Sequence, residues 1–359
     1  MNNLVENNAL HEVLPFYHCS IENSKVSALG NGLINQTYLV KSVKQNFVLQ
    51  KINHHVFKNP TQVINNAELI NKHLQEKKER QQYSLEPMWQ LTAKHHSPTV
   101  IVNDNYWRAI QFIPNCYTVE AVETTEQAHQ VAAAFGQFTS ALSDFPANQL
   151  AEIIPNFHHL DSRLTQLKAV VEKDPKKRLN DCQHLVDFCF EQVSFIKKVA
   201  ELVAVLPVQV THNDTKINNL LFNSDTKKPI AVIDLDTCMP GFIMHDFGDM
   251  VRTCCSTLPE DGVALEDMQI RMDIFEALAE SYINSFAGNI TQTERESLII
   301  GAQLLPFMIG IRFLTDYIDG DNYFHTKHTS HNLDRAKNQL HFFHLLHTAE
   351  DKLTRIVTR

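Results

Sequence analysis

The chain has 359 residues, 43% hydrophobic and 20% charged, so it can bury a sizeable core in two domains or one large bilobal unit. Its formal net charge of −9 and the lack of a concentrated basic patch exclude a nucleic-acid or anionic-membrane surface as the expected partner. No secretory signal pattern, no apolar run of about eighteen residues, and seven cysteines without a CxxC pair predict a cytoplasmic protein with reduced thiols.

The N-terminal part is predicted to be rich in strands. Two apolar or alternating stretches, LINQTYLV at 33–40 and NFVLQKIN at 46–53, are separated by KSVKQ, a polar break of hairpin length. The sequence therefore predicts two paired strands.

A helix and a second strand pair are predicted to follow. The segment 59–75 has a proline near its start and apolar residues at helical spacing, which is typical of a helix. Residues 98–103 and 106–113 predict two more strands, with the turn between them at Asp104 and Asn105.

The pattern changes from strand to helix beyond residue 114. Thr124 and Gln127 have the spacing of a capping box, and apolar residues of one helical face follow them. Other long helical patterns cover 181–206, 266–287, 294–318 and 332–356. The sequence thus predicts an α+β fold, with a strand-rich domain at 1–113 and a mainly helical domain at 114–359.

One segment interrupts the helical pattern. The short apolar runs VQV (208–210), NLLF (219–222) and PIAVIDL (229–235) predict short strands, and the turn residues between the last two predict a hairpin. We expect this hairpin to bring Asp234 back beside Asn219, because residues held on rigid strands are a common way to position catalytic groups.

The polar residues of this segment predict magnesium-dependent phosphoryl transfer. Asp214 and Asn219 have the spacing of the catalytic-loop aspartate and asparagine of protein kinases, and a second aspartate, Asp234, follows. Carboxylate and amide oxygens suit Mg²⁺, so Asn219 and Asp234 are the candidate metal ligands and Asp214 the candidate base. Aspartate and asparagine are also common in turns, but His212 and the two following strands favour a functional role. Asp236 is predicted to add a metal contact or only to brace the loop.

The neighbouring residues point away from a protein kinase. Asn213 replaces the kinase arginine, which removes the usual tie to a phosphorylated activation loop. The stretch HDFGD contains D-F-G, but Asp234 already fills the metal position, so we expect Asp246 to anchor the catalytic backbone. Asp249 and Arg252 are interpreted as a capping carboxylate and a structural ion pair.

Nucleotide contacts are predicted in the strand-rich domain. Gly30, Asn31 and Gly32 form either a simple tight turn or one whose backbone amides approach phosphates closely, and Asn35 and Thr37 continue it into the first strand. We expect this turn and the two side chains after it to contact the nucleotide.

A cation and the adenine site are predicted further along. Lys51 is predicted to reach the α/β-phosphates with Glu68 as its ion-pair partner, although a register one residue different places Gln50 there, and a solvent-facing lysine is the alternative. The backbone of three residues at the domain junction is predicted to bind adenine: Gln111, Phe112 and Ile113.

The motifs THNDTKINNLLF and VIDLDTCMPG resemble those of the aminoglycoside phosphotransferase/choline kinase superfamily, most closely the N-acetylhexosamine 1-kinase group. The likeness extends to GNGLINQTY, FVLQKIN, FGQF, HDFGDMVR and RFLTDYIDGDNYF. It implies a protein-kinase-like bilobal fold and an enzyme that uses ATP and Mg²⁺ to phosphorylate a small-molecule hydroxyl. In the sugar 1-kinases that hydroxyl is the anomeric one.

The resemblance also implies roles for individual residues. Asp214 is then the base, Asn219 and Asp234 hold Mg²⁺, and the glycine turn covers the ATP phosphates. Four residues are expected near the sugar: Lys216, Arg312, Asp316 and Tyr317. For the last three, a helix end with a core tyrosine is the alternative. Leu33 stands where the hexosamine kinases have the histidine of GxGHIN.

Two other functions stay open. The first is the same chemistry on another acceptor, namely an aminoglycoside, choline or homoserine. The second is a catalytically silent nucleotide-binding protein, although such a protein would ordinarily lack one of the base or metal residues, and all three are present.

Overall fold

The computed structural model describes residues 9–30 and 34–359, so the predictions for Asn31, Gly32 and Leu33 lie outside the described residues. A small antiparallel sheet in the N-terminal part and a large helical C-terminal part confirm the predicted α+β class. The chain divides into two compact units: unit 1 is Met1–Thr118, Asp144–Ile154 and Leu220–Pro240, and unit 2 is Val119–Ser143, Pro155–Asn219 and Gly241–Arg359.

The main sheet of unit 1 is entirely antiparallel in its described part. Its strands are β1 (Ser24–Ala28), β2 (Gln36–Ser42), β3 (Asn46–Ile52), β4 (Gln90–Leu91), β5 (Val100–Val102) and β6 (Asn105–Gln111). The order is β1–β2–β3–β6, and β4 and β5 both pair with β6. The two predicted strand pairs are therefore confirmed as β2–β3 and β5–β6.

The turn between β5 and β6 lies one residue earlier than predicted. Asn103 and Asp104 have φ values of 48° and 58°, the left-handed conformation that both central residues of a type I′ hairpin turn need. Asn105 already pairs with Val102, so it belongs to the strand. The prediction of Asp104 and Asn105 was wrong by one position because both asparagines suit a turn equally well.

Alternation of side chains gives the sheet one fully buried face. Four residues of β3 and β6 are at most 1% exposed and pack in one apolar cluster: Phe47, Leu49, Trp107 and Ala109. Because successive side chains of a strand point to opposite faces, Gln50 and Arg108 lie on the other face, where they meet each other.

The helix after β3, α1 (Pro60–Glu79), confirms the predicted helix and begins with its proline. Its apolar stripe is buried: Val63, Ile64, Ala67, Ile70 and Leu74. The buried amide of Asn66 donates to the Ala151 carbonyl at 2.8 Å and to the Cys238 carbonyl at 3.0 Å. α1 is therefore tied to two later segments of unit 1.

The units differ from the single boundary predicted after residue 113, because 220–240 return to unit 1. There β9 (Leu220–Asn223) pairs with both β7 (Cys116–Tyr117) and β10 (Pro229–Val232). The predicted hairpin is confirmed, although its second strand ends at Val232 and not at residue 235. Short strands β8 (Gln209–Thr211) and β11 (Met239–Gly241) flank it in the chain, and 3-10 turns occur at Leu14–Tyr17, Ala147–Gln149, Ile217–Asn219, Leu235–Thr237 and Leu265–Asp267.

Unit 2 is built from helices. They are α2 (Thr125–Ala141), α3 (Leu160–Lys173), α4 (Leu179–Glu191), α5 (Val193–Val203), α6 (Ile243–Cys254), α7 (Met272–Asn284), α8 (Gln292–Asp319), α9 (His331–Thr348) and α10 (Glu350–Val357). The predicted capping box at α2 is confirmed: the Gln127 N–H donates to the Thr124 hydroxyl at 3.2 Å, and the Thr124 N–H donates to the Gln127 side-chain oxygen at 3.3 Å.

Two predicted helices are each divided. The pattern at 181–206 breaks at Gln192, whose ψ of 37° is not helical, and the pattern at 332–356 breaks at Ala349, whose ψ is 7°. The pattern at 266–287 becomes a helix only from Met272. Apolar periodicity continues across these points because each piece buries an apolar face, so periodicity alone does not locate the breaks.

The central helix of unit 2 is α8. Among the described residues it is long and apolar enough to cross a bilayer, but 83% of its most apolar window is buried inside the protein. It packs against α6 and α9. These are the properties of a core helix.

α6 and α8 cross so closely that both need glycine at the contact. A Cβ on Gly248 would lie 2.2 Å from the Gly301 carbonyl oxygen, and a Cβ on Gly301 would lie 2.1 Å from the Met244 carbonyl oxygen. Both distances are far below van der Waals contact with backbone that cannot turn aside.

Gly248→Ala should lower the free energy of unfolding by about 1–3 kcal/mol, because relieving the clash forces the two helices apart. Glu280→Ala, at an exposed position of α7, is the matched control and should change it by less than about 0.5 kcal/mol. Urea denaturation followed by circular dichroism measures both. Equal stability of the two variants would contradict the close crossing.

Candidate active site

The segment 212–219 follows β8 and is fixed by a buried carboxylate. Asp246, on α6, is 0% exposed and accepts the backbone N–H groups of His212 at 2.9 Å and Asn213 at 2.7 Å. The Thr215 hydroxyl donates to the Asp246 carbonyl oxygen at 2.6 Å. These bonds confirm the predicted anchoring role of Asp246.

Local sequence explains why the segment adopts this course. Asn213 has a φ of 64°, a left-handed conformation that asparagine tolerates better than most residues. The Thr211 hydroxyl donates to its side-chain oxygen at 3.1 Å. The buried ring of His212 stands edge-on to Phe135 at 5.4 Å and Phe138 at 5.8 Å. The backbone turn before Asp214 is thus fixed by the Thr211–Asn213 hydrogen bond and by the packing of His212 between phenylalanine rings.

Asp214 is held in its ionised form. Burial raises the pKa of this carboxyl group, but the Lys216 cation, whose Nζ lies 2.7 Å from Oδ1, and the amide of Asn219 bring the pKa below its usual value. In return, Asp214 raises the pKa of Lys216. The carboxylate stays 28% exposed, so a reactant can reach it. It is therefore a base that is charged at neutral pH and accessible.

Asn219 is oriented by Asp214 and fits a hard cation. Its amide nitrogen donates to the Asp214 carbonyl at 2.8 Å and to the Asp214 carboxylate at 2.9 Å. Among the described residues nothing donates to its side-chain oxygen, which is the atom type that Mg²⁺ prefers. The donor set present here therefore fits the ion.

Asp234 belongs to unit 1 and also fits a cation site. It follows β10 with φ 59° and ψ 57°, just before the turn Leu235–Thr237, and its side chain is exposed. In the described ranges no group of three or more His, Cys, Asp or Glu side chains could hold a metal by itself.

Asp236 braces the loop, the second of its two predicted roles. Its Oδ1 binds the Arg108 guanidinium in a buried ion pair, and its Oδ2 accepts the Asn35 amide at 2.6 Å. The residue is 2% exposed. Both oxygens are therefore engaged by protein groups, which favours the bracing role over the metal contact.

The predicted ion pair of Lys51 with Glu68 is not formed within the described residues. Glu68 lies on the exposed face of α1, because the buried stripe of that helix runs through its neighbours. Lys51 is on the opposite face of β3 from Gln50, whose side-chain oxygen accepts Arg108 Nε at 2.9 Å. Gln50, the residue of the alternative register, therefore lies on the face of β3 that Arg108 contacts, and Lys51 lies on the face of Phe47 and Leu49.

The other predicted nucleotide residues lie at two opposite ends of the main sheet of unit 1: Asn35 and Thr37 are at the start of β2, whereas Gln111 ends β6 beside the start of β3. Gly30 has a φ of 73°, a conformation that favours glycine, and apart from its chain neighbours no atom of the described residues lies within 4 Å of the position that a Cβ would take. The Asn35 side-chain oxygen accepts the Asn53 N–H at 3.0 Å, and the Thr37 hydroxyl accepts the Gln50 amide at 3.1 Å. The predicted adenine segment begins where β6 ends and is half-buried throughout: Gln111, Phe112 and Ile113.

Asp316 and Tyr317 favour the structural alternative. The Asp316 carboxylate accepts the backbone N–H groups of residues 322, 323 and 324 at 2.8–2.9 Å and the Asn332 amide at 2.9 Å. The Tyr317 ring lies 4.7 Å under the Arg178 guanidinium, and its hydroxyl bonds to Asp181 at 3.3 Å. Both side chains are used to close the C-terminal end of α8.

Arg312 is placed differently, among aromatic rings of unit 2. Its guanidinium carbon lies 5.2–5.5 Å from the centres of Phe157, Tyr323 and Phe324. In the described part of the chain no carboxylate lies within ion-pair distance of it. Burial lowers its pKa, and a hydrogen bond with Tyr323 opposes this shift.

Sequence reasoning missed two groups of residues. Arg108 interrupts the apolar strand YWRAIQFI, and a charge in a buried strand must have a partner, so this signal was available. His158 and His245, whose rings are 4.9 Å apart, have buried Nε2 atoms without a hydrogen-bond partner in the described structure. His158 also hydrogen-bonds the backbone of Asn213. No local pattern in the sequence pairs these histidines.

Asp249 and Arg252 form the predicted structural ion pair. Arg252 Nε lies 2.8 Å from Asp249, both side chains are 5% exposed, and Arg252 Nη1 also binds Glu260 at 2.7 Å. Burial lowers the pKa of Arg252, but these two carboxylates outweigh it and raise the pKa above its usual value.

Comparison with known proteins gives a consistent assignment. The model of the APH family, described as the phosphotransferase enzyme family, matches residues 25–279. Similar solved structures include an aminoglycoside phosphotransferase from Alicyclobacillus acidocaldarius (13% identity, 94% of each chain, TM-score 0.62) and a choline kinase from Cryptosporidium parvum (14%, 98% of this chain and 97% of that one, 0.59). The GDP complex of aminoglycoside 2'-phosphotransferase-IIIa is another (13%, 95% and 99%, 0.58). At these identities the structures establish the fold alone.

The variant His245→Phe should lose less unfolding free energy than the wild type when the pH is lowered. Burial lowers the pKa of His245 to about 3, so below its usual value of 6.5 the unfolded chain binds a proton that the folded chain does not. Between pH 7 and 5 the wild type should therefore lose about 2 kcal/mol more unfolding free energy than the variant.

Urea titrations at the two pH values measure this difference. His184→Phe, at an exposed position of α4, is the control and should follow the wild type. Parallel pH dependence of the wild type and His245→Phe would show that His245 takes up its proton in the folded state.

Proposed function

This chain belongs to the phosphotransferase enzyme family, and we propose that it transfers the γ-phosphate of ATP to a sugar hydroxyl. The acceptor we propose is the anomeric hydroxyl of an N-acetylhexosamine or a related sugar, and the product is the sugar 1-phosphate. The observation that carries the proposal is the ionised, partly exposed Asp214, held by Lys216 and Asn219. A cytoplasmic location stays a prediction from the sequence.

Asp214 acts as the general base. Its carboxylate binds the acceptor hydroxyl, orients the oxygen for attack and accepts the proton as the bond to phosphorus forms. Lys216 keeps Asp214 ionised until the proton is transferred. We propose that Lys216 lies beside the reacting groups. We propose that Asn219 would be a ligand of Mg²⁺ and that Asp234 would be another; the ion would partly neutralise the charge of the transferring phosphoryl group.

Unit 1 binds the nucleotide in this proposal. The glycine turn that starts at Gly30 approaches the phosphates, and the backbone from Gln111 to Ile113, which leaves the sheet after β6, binds adenine. Support comes from the left-handed backbone of Gly30, with a φ of 73°, and from the half-buried position of the second segment.

The charge of the Arg312 cluster favours a neutral sugar over an amine. Arg312, Arg163 and His158 lie within electrostatic range of one another, and His158 reaches the backbone next to Asp214. Burial lowers the pKa of His158, so the like charges that a cationic acceptor would meet here are those of Arg312 and Arg163, and this costs binding energy. Sugar hydroxyl oxygens accept hydrogen bonds from a guanidinium group, and an aromatic surface accepts the sugar ring. Choline, homoserine and aminoglycosides are the alternative acceptors.

Asp214→Asn should reduce kcat by about 10²–10⁴ because the amide cannot take the proton. ATP affinity and melting temperature should stay near those of the wild type, since the amide keeps the shape of the side chain. Asp187→Asn, an exposed change on α4, is the matched control. Near wild-type turnover of Asp214→Asn would remove Asp214 from the mechanism.

An ATP-consumption screen should show turnover with sugars that have a free anomeric hydroxyl, and phosphorus NMR should place the phosphate at that oxygen. Choline, homoserine and aminoglycosides should be poor acceptors. Turnover confined to amines, or to sugars blocked at the anomeric oxygen, would replace the sugar by the alternative acceptors.

The same screen tests Arg312. Arg312→Met should raise the KM for the sugar about tenfold or more, as expected for a lost hydrogen bond to a charged group, and leave the KM for ATP unchanged. Arg355→Met, at an exposed position of α10, is the control.

A further inference from the structure

A buried arginine, Arg108 of β6, contacts Gln50 on the third strand of the sheet. In protein kinases the phosphate-binding cation is a lysine on the third strand, oriented by a glutamate on the following helix. Here the third strand presents Gln50 on the relevant face, and Glu68 on the following helix is exposed. The lysine–glutamate pair is thus missing from the place where the fold would put it.

We propose that Arg108 replaces this pair and is the unit 1 cation that contacts the ATP phosphates, with Asp236 as its orienting carboxylate. The inference rests on the proposed function, because it assumes that the ligand is a nucleotide triphosphate. It concerns a residue of β6 that no motif of the sequence singled out.

The geometry around Arg108 is that of a fixed cation. Its Nε and Nη2 donate to the Gln50 side-chain oxygen at 2.9 Å and 2.7 Å, and Nη2 also binds Asp236. Gln50 in turn donates to Thr37 on β2. Nη1 has no acceptor among residues 9–30 and 34–359, so two N–H groups are left to bind phosphate oxygens. A guanidinium is well suited to such oxygens.

Stability alone does not account for this pair. Both side chains are nearly inaccessible, at 2% and 3%, and burying two charges costs solvation that their attraction often fails to recover. Apolar residues of similar size would serve a purely structural purpose equally well. A retained buried charge in the nucleotide-binding unit is better explained by a charged ligand.

The position of Asp236 adds a link to the metal. It lies two residues after Asp234 in one short turn, and Asn35, five residues after Gly30, holds its other oxygen. Arg108 therefore joins the sheet to the turn that carries the proposed metal ligand. The hydrogen bonds of Asp236 with Arg108 and Asn35 therefore position both Arg108 and the turn that begins at Asp234, the proposed metal ligand.

The test compares binding of ATP and adenosine by calorimetry in the presence of magnesium. The double variant Arg108→Met/Asp236→Leu removes both charges and leaves neither partner buried alone. It should lose about ten- to hundredfold of the preference for ATP over adenosine, with adenosine affinity unchanged. Arg108→Lys, which keeps the charge, should retain most of the preference. If the role of Arg108 were only structural, the double variant would bind both ATP and adenosine more weakly.

Lys51→Met and Glu68→Gln are the matched controls and should leave the preference within about twofold of the wild type. A lost preference in Lys51→Met, or a folded double variant that keeps it, would overturn the assignment of Arg108 and leave the kinase function standing. If the double variant does not fold, Lys51→Met still tests the assignment of Arg108, because a lost preference for ATP in that variant would contradict it. A wild-type chain that binds ATP no better than adenosine would instead overturn the proposed function and this inference with it.

Discussion

A single buried carboxylate sets the geometry of the candidate site. Asp246 accepts two successive backbone N–H groups, and this fixes the left-handed turn at Asn213 that presents Asp214. The cost of burying the carboxyl group is visible in its pKa, which burial raises to about 7 against the effect of the two hydrogen bonds. Without these bonds, Lys216 and Asn219 would have no fixed carboxylate to bind.

Environment gives four aspartates four different tasks. Asp246 is buried and receives only neutral donors, so burial dominates its pKa. Asp214 is partly exposed beside a lysine, so it remains ionised. Asp236 is buried against an arginine and acts as a brace, whereas Asp234, two residues earlier, is exposed. The same chemical group is thus a candidate base, an anchor, a brace or a candidate metal ligand according to its neighbours.

The part of the fold that local sequence determines could be predicted. Hairpin strands, the capping box at Thr124 and the anchoring role of Asp246 follow from period, turn residues and motif spacing, and the structure confirms them. The breaks at Gln192 and Ala349 could not be located, because the apolar pattern runs through them. Local signals therefore define which elements exist better than where they end.

The pairs that define the site in unit 1 join distant parts of the chain. Arg108 and Asp236 are 128 residues apart, and Asn35 and Asp236 are 201 apart. No periodicity or spacing rule connects such residues. The face of β3 that carries Gln50 depends on a register of one residue, and the sequence left both registers open. Only the folded sheet distinguishes Gln50 from Lys51.

The glycine contact between α6 and α8 has a consequence for motion during turnover. Asp246 is two residues from Gly248, at the point where the two helix backbones come closest. A side chain mounted on such a junction has little freedom, because neither helix can shift without the other. Asp246 in turn fixes the backbone that precedes Asp214. The Asp214 side chain is therefore oriented before a reactant binds. In the proton transfer that we propose for Asp214, little reorganisation energy would then be needed.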